Sequence, residues 1–259
     1  MKAYRRLAAA RTALAEGGPF LLASRAAVHV GLAELSERLA AEGAARALRR
    51  QRPADRSAAL RFAQQFEYGG LRIDPIQVPA EIEKFLELVT AEPPERVLEI
   101  GTARGGTLFL LTTAAAEEAV LVAVDAPLGA RSFGGDFRYQ RRRRLFEAFA
   151  RERQRVVYLA LDSHRQETFD RVQDALAGRL LDLLFIDGDH SYAGLTADYE
   201  MYVPLVRSGG LVAFHDIVPG PPEAVGGVPD FWRQVRDETA LELVEDWDQG
   251  GWGIGVLRV

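Results

Sequence analysis

The chain has 259 residues, with 32 Lys and Arg against 37 Asp and Glu and a net charge of -5. This length accommodates one large domain with an appendage, and the acidic balance argues against a general attraction to nucleic acid. The absence of cysteine excludes disulfides, thiolate metal sites and a cysteine nucleophile. No uninterrupted apolar run approaches the length of a membrane span, so we expect a cytoplasmic protein without a membrane partner.

Residues 1–75 are rich in Ala, Leu, Arg and Glu, and Leu32, Leu35 and Leu39 recur at helical spacing. We expect a helical N-terminal extension over 1–75, followed by a second domain over 76–259. The extension could cover an active site, form a dimer contact or thicken one side of the core. We favour the last two alternatives over a catalytic role, and a homo-oligomer is therefore one expectation.

The remainder of the chain alternates predicted strands and helices. Pro79 suits the first turn of an amphipathic helix with Ile82, Phe85 and Val89 on one stripe. Strands are predicted at 96–100, 120–124, 156–161, 181–186 and 210–214, with a final pair at 241–244 and 253–259 joined by a turn at 246–251. Further helices are predicted at about 138–152, after a loop with Gly129, Gly134 and Gly135, and from Ser163, which opens a capping-box pattern. The alternation predicts an α/β fold with a mostly parallel sheet, an antiparallel C-terminal hairpin and helices on both faces.

A glycine-rich turn follows the first of these strands. The strand ends in Glu99-Ile100-Gly101, and Gly105 and Gly106 lie between it and the next helix. Such a turn lets a ligand approach bare backbone near free N–H groups. Asp125 ends the second strand, where a carboxylate can accept both hydroxyls of a ribose. These features, with Asp162 after the third strand, favour an adenosine ligand, while the glycine spacing disfavours a nicotinamide dinucleotide.

Carboxylates and imidazoles follow two later strands. Asp187, Asp189 and His190 come directly after the apolar run at 181–186, and His215 and Asp216 come after 210–214. An open α/β sheet binds ligands at this edge, whereas the alternative is that an aspartate here caps the next helix. We favour a functional role for Asp187, His190 and Asp216. Functional and structural roles stay open for Asp189, His215 and His164.

Several segments resemble class I S-adenosylmethionine-dependent O-methyltransferases, in particular the branch associated with cephalosporin-hydroxylase-like proteins and with macrolide-sugar and rhamnosyl O-methyltransferases. The resemblance covers about 75–259 and is carried by Val97 to Thr107, Asp162 to His164, Phe185 to Tyr192, Leu205 to Gly210 and Ala213 to Ile217. It implies a Rossmann-like sheet, S-adenosylmethionine as cofactor, and a hydroxylated small molecule such as a sugar or glycosylated natural product as substrate.

The resemblance also implies roles for individual residues. Asp125 would bind the ribose, Asp162 with Ser163 the adenine edge, and Gln77 would border the cofactor. The methionine part would lie on the loop formed by Glu99, Gly101, Thr102, Gly105 and Gly106.

At the reacting end, the resemblance implies a divalent metal, Mg²⁺ or Mn²⁺, held by Asp187, His215 and Asp216. Members of the family have an acidic or amide pair after the fifth strand, whereas Asp216 has His215 as its partner. This departure leaves both the identity and the presence of the metal open. His190, three residues after Asp187, fits a general base with a pKa near neutral. Asp189 has no assigned role.

Three other functions compete with methyl transfer: a hydroxylase-like enzyme, a nicotinamide-dependent oxidoreductase, and a catalytically silent cofactor-binding protein. Four consecutive arginines, Arg141 to Arg144, could suggest a nucleic-acid patch. On a helix they would point around most of the circumference, so a solvated helix is favoured. The segment 226–229, with Phe231 and Trp232 behind it, could form a mobile substrate lip, although such aromatics are more often core residues.

Overall fold

The computed structural model describes residues 2–29, 32–53, 55–126 and 142–259. Its helices in these ranges are α1 (Lys2–His29), α2 (Ala33–Gln51), α3 (Ala59–Gln65), α4 (Pro79–Ala91), α5 (Gly106–Ala114), α6 (Arg143–Glu147), α7 (Gln166–Leu176), α8 (Tyr192–Tyr202), α9 (Pro222–Val225) and α10 (Val228–Val235). Its strands are β1 (Glu67–Tyr68), β2 (Leu71–Arg72), β3 (Arg96–Ile100), β4 (Val120–Asp125), β5 (Arg155–Ala160), β6 (Leu181–Ile186), β7 (Val206–His215), β8 (Leu241–Leu243) and β9 (Ile254–Arg258).

The main sheet has the strand order β5-β4-β3-β6-β7-β9-β8 in the described part of the chain. The first five members are parallel, and β9 and β8 are antiparallel. Central strands of such a sheet are covered on both faces, which is why they read as continuous apolar runs. Leu98, Leu184 and Val212 are accordingly inaccessible to solvent. The α/β expectation, with a mostly parallel Rossmann-like sheet and an antiparallel C-terminal hairpin, is confirmed.

Two apolar clusters cover the faces of the sheet. One includes Phe85, Phe109 and Phe149, and the other includes Tyr202 and Phe214. Phe231 and Trp232, which the sequence left open between a substrate lip and the core, belong to the second cluster and are buried. The structure thus supports the core alternative for both aromatics.

The N-terminal extension contributes to the first of these clusters. Leu48 of α2 is fully buried in it, together with Phe109 of α5. The Arg52 guanidinium donates to the carbonyls of Phe149 and Ala150 at 3.2 and 2.7 Å. The extension therefore shares its core with the sheet. It also contains the hairpin β1–β2, which the helical expectation did not include.

Some predicted boundaries differ from the observed ones. The helix expected at about 138–152 is represented by α6 alone, and residues 127–141, with Gly129, Gly134, Gly135 and Arg141, lie outside the described residues. The helix expected from Ser163 begins at Gln166, and Arg165 at its N-cap makes no side-chain capping bond. The capping-box prediction is therefore wrong. Among the described helices, none combines the length and the apolar composition that a membrane span requires.

Candidate active site

The candidate site is a cavity of about 690 Å³ at the carboxyl edge of the parallel strands. The polar side chains that line it are those of Asp125, Asp162, Ser163, His164, Asp187, Asp189, His190, His215 and Asp216. Gly101 lies at the junction of its two ends, with a φ of 87°. A Cβ atom here would collide with the carbonyl of Asp187, so only glycine lets these two loops meet.

Asp125, at the end of β4, has the electrostatics of a ligand-binding carboxylate. Its Oδ2 atom is buried and has no hydrogen-bond partner within the described ranges, which omit 127–141. Burial raises the pKa of Asp125 to about 7, against the opposing effect of backbone N–H groups of Thr102 and Ala126. An unpartnered buried acceptor at a cavity wall suits a ligand hydroxyl, as expected for ribose.

Asp162, Ser163 and His164 form the next part of the wall, after β5. Asp162 Oδ1 accepts a hydrogen bond from the backbone N–H of His164 at 3.0 Å. Behind them lies Asp198 of α8, which is fully buried and 3.4 Å from His164 Nε2. Burial raises the pKa of Asp198 to about 6, and the nearby His164 offsets this in part. Asp198 was not predicted from the sequence, because nothing in the helix α8 distinguishes a buried aspartate from an exposed one.

Five predicted cofactor residues do not line the cavity formed by the described residues: Gln77, Glu99, Thr102, Gly105 and Gly106. They support the loop instead. A Cβ atom at Gly106 would collide with the backbone of Pro75, and one at Gly105 would meet the ring of Phe146. Gln77 donates to Asp187 Oδ2 at 3.3 Å and accepts from Thr107 Oγ1 at 2.9 Å.

Glu99 is a buried acid beneath the cavity. It is inaccessible to solvent, and neither carboxylate oxygen has a hydrogen-bond partner among the residues that the structure describes. Burial raises its pKa well above the usual range, and the nearby carboxylates of Asp187 and Asp125 add to this. Glu99 is therefore expected to stay protonated at neutral pH, since an isolated buried charge is costly.

The reacting end brings four predicted residues together on the neighbouring strands β6 and β7. His190 Nε2 lies 3.3 Å from Asp187 Oδ1, and His190 Nδ1 lies 3.3 Å from Asp216 Oδ2. His215 Nδ1 lies 3.2 Å from Asp187 Oδ1 and 3.5 Å from Asp216 Oδ1. Two carboxylates and two imidazoles thus form one cluster, called here the rim cluster.

Mutual attraction sets the charge state of the rim cluster. Burial alone would raise the pKa of Asp187, but the charge of His215 and a hydrogen bond from His190 hold that pKa well below its usual value. Burial opposes protonation of His190 and His215, yet the neighbouring carboxylates raise the pKa of both rings. The cluster therefore favours ionised aspartates beside protonated histidines.

Ligand atoms of Asp187, His190 and Asp216 all lie within 4.8 Å of one another, which is close enough to hold a metal ion. His190 Nδ1 donates to the carbonyl of Ala224 at 2.8 Å, so a neutral ring presents Nε2 on the side of Asp187. Metal-binding histidines commonly use such a backbone partner to fix their tautomer. The observed trio contains His190 in the place for which the sequence analysis proposed His215.

Asp189 has a structural contact in this region. Its Oδ1 accepts from the backbone N–H of Ser191 at 2.8 Å, and Ser191 Oγ caps α8 by accepting from the N–H of Gly194 at 3.0 Å. The residue that caps α8 is therefore Ser191, and not Asp187.

Residues 98–217 match a family model described as a methyltransferase domain. The matched segment includes most of β3, the Gly101 loop, Asp125 and the rim cluster.

A relative of this chain is the uncharacterized protein y4gI of Sinorhizobium fredii, which is 31% identical over 153 residues. That match covers 57% of this chain and 16% of the relative, so the chain spans a small part of that protein.

Two solved structures have a similar fold. The O-methyltransferase TomG from Streptomyces achromogenes, in complex with SAM, is 22% identical with a TM-score of 0.50, over 81% of this chain and 92% of TomG. The cofactor-bound protein Rv0187 from MTB is 22% identical with a TM-score of 0.50, over 87% of this chain and 89% of that one. At these identities the likeness concerns the fold, and it agrees with the methyltransferase domain.

Proposed function

We propose that this chain is an S-adenosylmethionine-dependent O-methyltransferase that methylates a hydroxyl of a small molecule. The observation that carries the proposal is a single cavity with Asp125 at one end and the rim cluster at the other. A cofactor and an acceptor can meet there, because both ends lie at the carboxyl edge of the parallel strands, on either side of β3, within the segment that matches the methyltransferase model. The SAM complex of TomG, which has a similar fold, supports the choice of cofactor.

The cofactor end of the cavity combines a few polar side chains with mostly apolar walls. Bound S-adenosylmethionine supplies an electrophilic methyl group. The unpartnered Oδ2 of Asp125 would accept hydrogen bonds from the ribose hydroxyls, and Asp162 with Ser163 would line the adenine side. Because Gly101 has no side chain, the loop after β3 can contact the backbone of Asp187. These residues orient the cofactor before chemistry begins.

At the acceptor end we propose that Asp187, His190 and Asp216 hold a divalent metal. Two carboxylates and one imidazole suit Mn²⁺ better than Mg²⁺, which strongly prefers oxygen. Such an ion lowers the pKa of a coordinated hydroxyl. Gln77 and His215 hold the two oxygens of Asp187, and Ala224 holds the ring of His190.

A base-only mechanism is the second candidate, and a specific observation favours it. The two histidines already compensate the two aspartates, so the rim cluster is electrically balanced by side chains alone. In this mechanism a neutral His190 accepts the proton of the acceptor hydroxyl. In the balanced state His190 is protonated, so it must lose that proton before it can act as a base. Because the neighbouring carboxylates raise its pKa, the neutral ring becomes dominant only at a higher pH than for an ordinary histidine.

The acceptor is proposed to be a sugar or a glycosylated natural product. The segments Phe185 to Tyr192 and Ala213 to Ile217, which contain the rim cluster, carry the resemblance to sugar O-methyltransferases. TomG, with a similar fold, is involved in tomaymycin synthesis, which supports a natural-product hydroxyl as the acceptor.

Titration calorimetry tests the cofactor assignment. Wild-type protein is expected to bind S-adenosylmethionine and S-adenosylhomocysteine with millimolar or tighter affinity, and Asp125→Ala should weaken both strongly because it removes the ribose acceptor. Asp174→Ala, an exposed aspartate on α7, is the matched control and should bind normally. Clear heat with NAD but none with either sulfur ligand would favour the oxidoreductase alternative.

Chelation separates the two mechanisms. Methyl transfer to an acceptor panel should stop after exhaustive treatment with EDTA and return on addition of Mn²⁺ if the trio holds a metal. Transfer that survives chelation at full rate would select the base-only mechanism. Cofactor affinity measured in the same samples shows whether chelation affects only the acceptor end.

A further inference from the structure

The turn between β8 and β9 brings a tryptophan to the cavity. Trp252 is 41% exposed and lines the same cavity as the rim cluster, beside Gly250 and Gly251. Ile76, 50% exposed, and Val225 also line this cavity. Large exposed apolar side chains at a cavity wall are typical of ligand contacts, because ligand pockets combine apolar walls with a few polar groups.

The backbone of Trp252 is held in a conformation that bulky residues rarely adopt. Its φ is 60°, in the left-handed region. The Trp252 N–H donates to Asp216 Oδ1 at 3.0 Å, and its carbonyl accepts from the N–H of Val218 at 2.9 Å. Strained backbone persists where surrounding contacts over-determine it, and such positions cluster at functional sites. Asp216 itself has a φ of 63°, so two strained residues are joined by one hydrogen bond.

A buried carboxylate anchors the turn from the other side. Glu81 of α4 is inaccessible to solvent. It accepts from the N–H of Glu245 at 3.0 Å, from Gln249 Nε2 at 2.8 Å and from the N–H of Gly253 at 2.9 Å. The main chain on both sides of the turn is therefore fixed, while the indole of Trp252 stays accessible. This is a pre-organised aromatic surface, which lowers the entropy cost of binding.

We propose that Trp252 is the specificity-determining residue for the acceptor, and that its indole contacts the flat face of a ring next to the hydroxyl to be methylated. The inference rests on the proposed function and extends it to the shape of the substrate. An indole offers a broad apolar face with few rotatable bonds, which suits a planar or sugar ring better than an open chain. Hydroxyls of that ring would face the polar rim cluster in the same cavity. Glu81 acts as a positioning residue through the turn.

The test compares two ring compounds that carry neighbouring hydroxyls with one open-chain diol. Catechol, methyl α-rhamnoside and 1,2-propanediol are titrated by calorimetry into wild-type protein, with and without S-adenosylhomocysteine. Both ring compounds should bind about tenfold more tightly than propanediol, a ratio equivalent to ~1.4 kcal/mol. Trp252→Ala should remove this preference, and Trp252→Phe should retain most of it. S-adenosylhomocysteine affinity should be the same in all variants.

The matched control is Trp247→Ala. Trp247 lies in the same turn and is 47% exposed, but it lines a separate small cavity with Trp232 and Arg236. Its substitution should leave the ring preference unchanged. Glu81→Gln should reduce the ring preference and raise KM for a ring acceptor more than it lowers kcat, because it loosens the turn without removing the indole.

The inference is overturned if ring compounds bind to Trp252→Ala as tightly as to wild-type protein. It is also overturned if wild-type protein binds ring compounds no more tightly than propanediol. Either result leaves the proposed function intact if S-adenosylhomocysteine still binds. If wild-type protein binds no S-adenosylhomocysteine, the proposed function is wrong. The ring preference is then judged from the titrations carried out without S-adenosylhomocysteine.

Discussion

At the scale of single residues, Asp125 makes cofactor affinity sensitive to pH. Its pKa is raised to about 7 by burial, and ribose hydroxyls donate to the ionised form. Affinity should therefore level off about one pH unit above this pKa and fall by up to about tenfold per pH unit well below it, since binding must first remove the proton. Calorimetry with S-adenosylhomocysteine between pH 5.5 and about 8.5 measures this slope.

The control for the pH dependence of cofactor affinity is Asp125→Asn, which keeps the shape of the side chain and cannot ionise. It should bind more weakly than wild type at high pH and show no dependence near pH 7. A wild-type affinity that stays constant across the range would contradict the ionised Asp125 as ribose acceptor.

His190 is expected to matter for turnover and little for cofactor binding. His190→Ala should lower the rate by about a hundredfold or more, since the ring is either a metal ligand or the proton acceptor. His164→Ala provides a contrast, because His164 contacts Asp198 at the cofactor end and should affect S-adenosylmethionine affinity instead. An unchanged rate in His190→Ala would remove it from both mechanisms.

The residues of the site differ in how far the sequence reveals them. Asp187, His190 and Asp216 directly follow apolar strands, and parallel strands bring such positions to one edge. Glu81 and Asp198 could not be found this way, because each sits within a helix and its role depends on partners distant in sequence. Trp252 follows a recognised turn, but its accessibility depends on bonds to Asp216 that only the folded chain shows.

At the scale of elements, the contact between the ends of β3 and β6 depends on Gly101. Gly101→Ala should lower the free energy of unfolding by several kcal/mol, because its Cβ would collide with the Asp187 carbonyl as well as adopt a left-handed φ. Gly70→Ala is matched in φ at 86°, but no atom lies within 4 Å of its Cβ. It should cost only ~1–2 kcal/mol. Urea unfolding of both variants tests the difference, and equal losses would contradict it.

The elements themselves were predictable where one physical signal dominated. The five parallel strands follow from buried apolar runs, and the C-terminal hairpin follows from its turn. The hairpin β1–β2 was missed although Gly69 and Gly70 form a typical turn signal, because its strands have only two residues each. The start of α7 was misplaced because the helix is preceded by Arg165, which makes no side-chain capping bond, and not by Ser163.

At the scale of the whole molecule, the extension and the sheet should unfold together. Leu48→Ala creates a cavity in a cluster shared by both, with an expected loss of ~2–5 kcal/mol. The three tryptophans, Trp232, Trp247 and Trp252, all lie in the C-terminal part. Their fluorescence should therefore report the same lowered midpoint as circular dichroism. A tryptophan transition that is unchanged by Leu48→Ala would show that the extension is an independent unit.

The order of the strands separates the two ends of the cavity within the sheet. Asp125 and Asp162 follow β4 and β5 on one side of β3, whereas the rim cluster and Trp252 belong to β6, β7 and β9 on the other. The two loops that border the acceptor end, at 219–227 and 244–253, are thus distant in the sheet from the cofactor end. An engineer could exchange them to redirect the enzyme to new acceptors without redesigning cofactor recognition, and natural divergence could follow the same route.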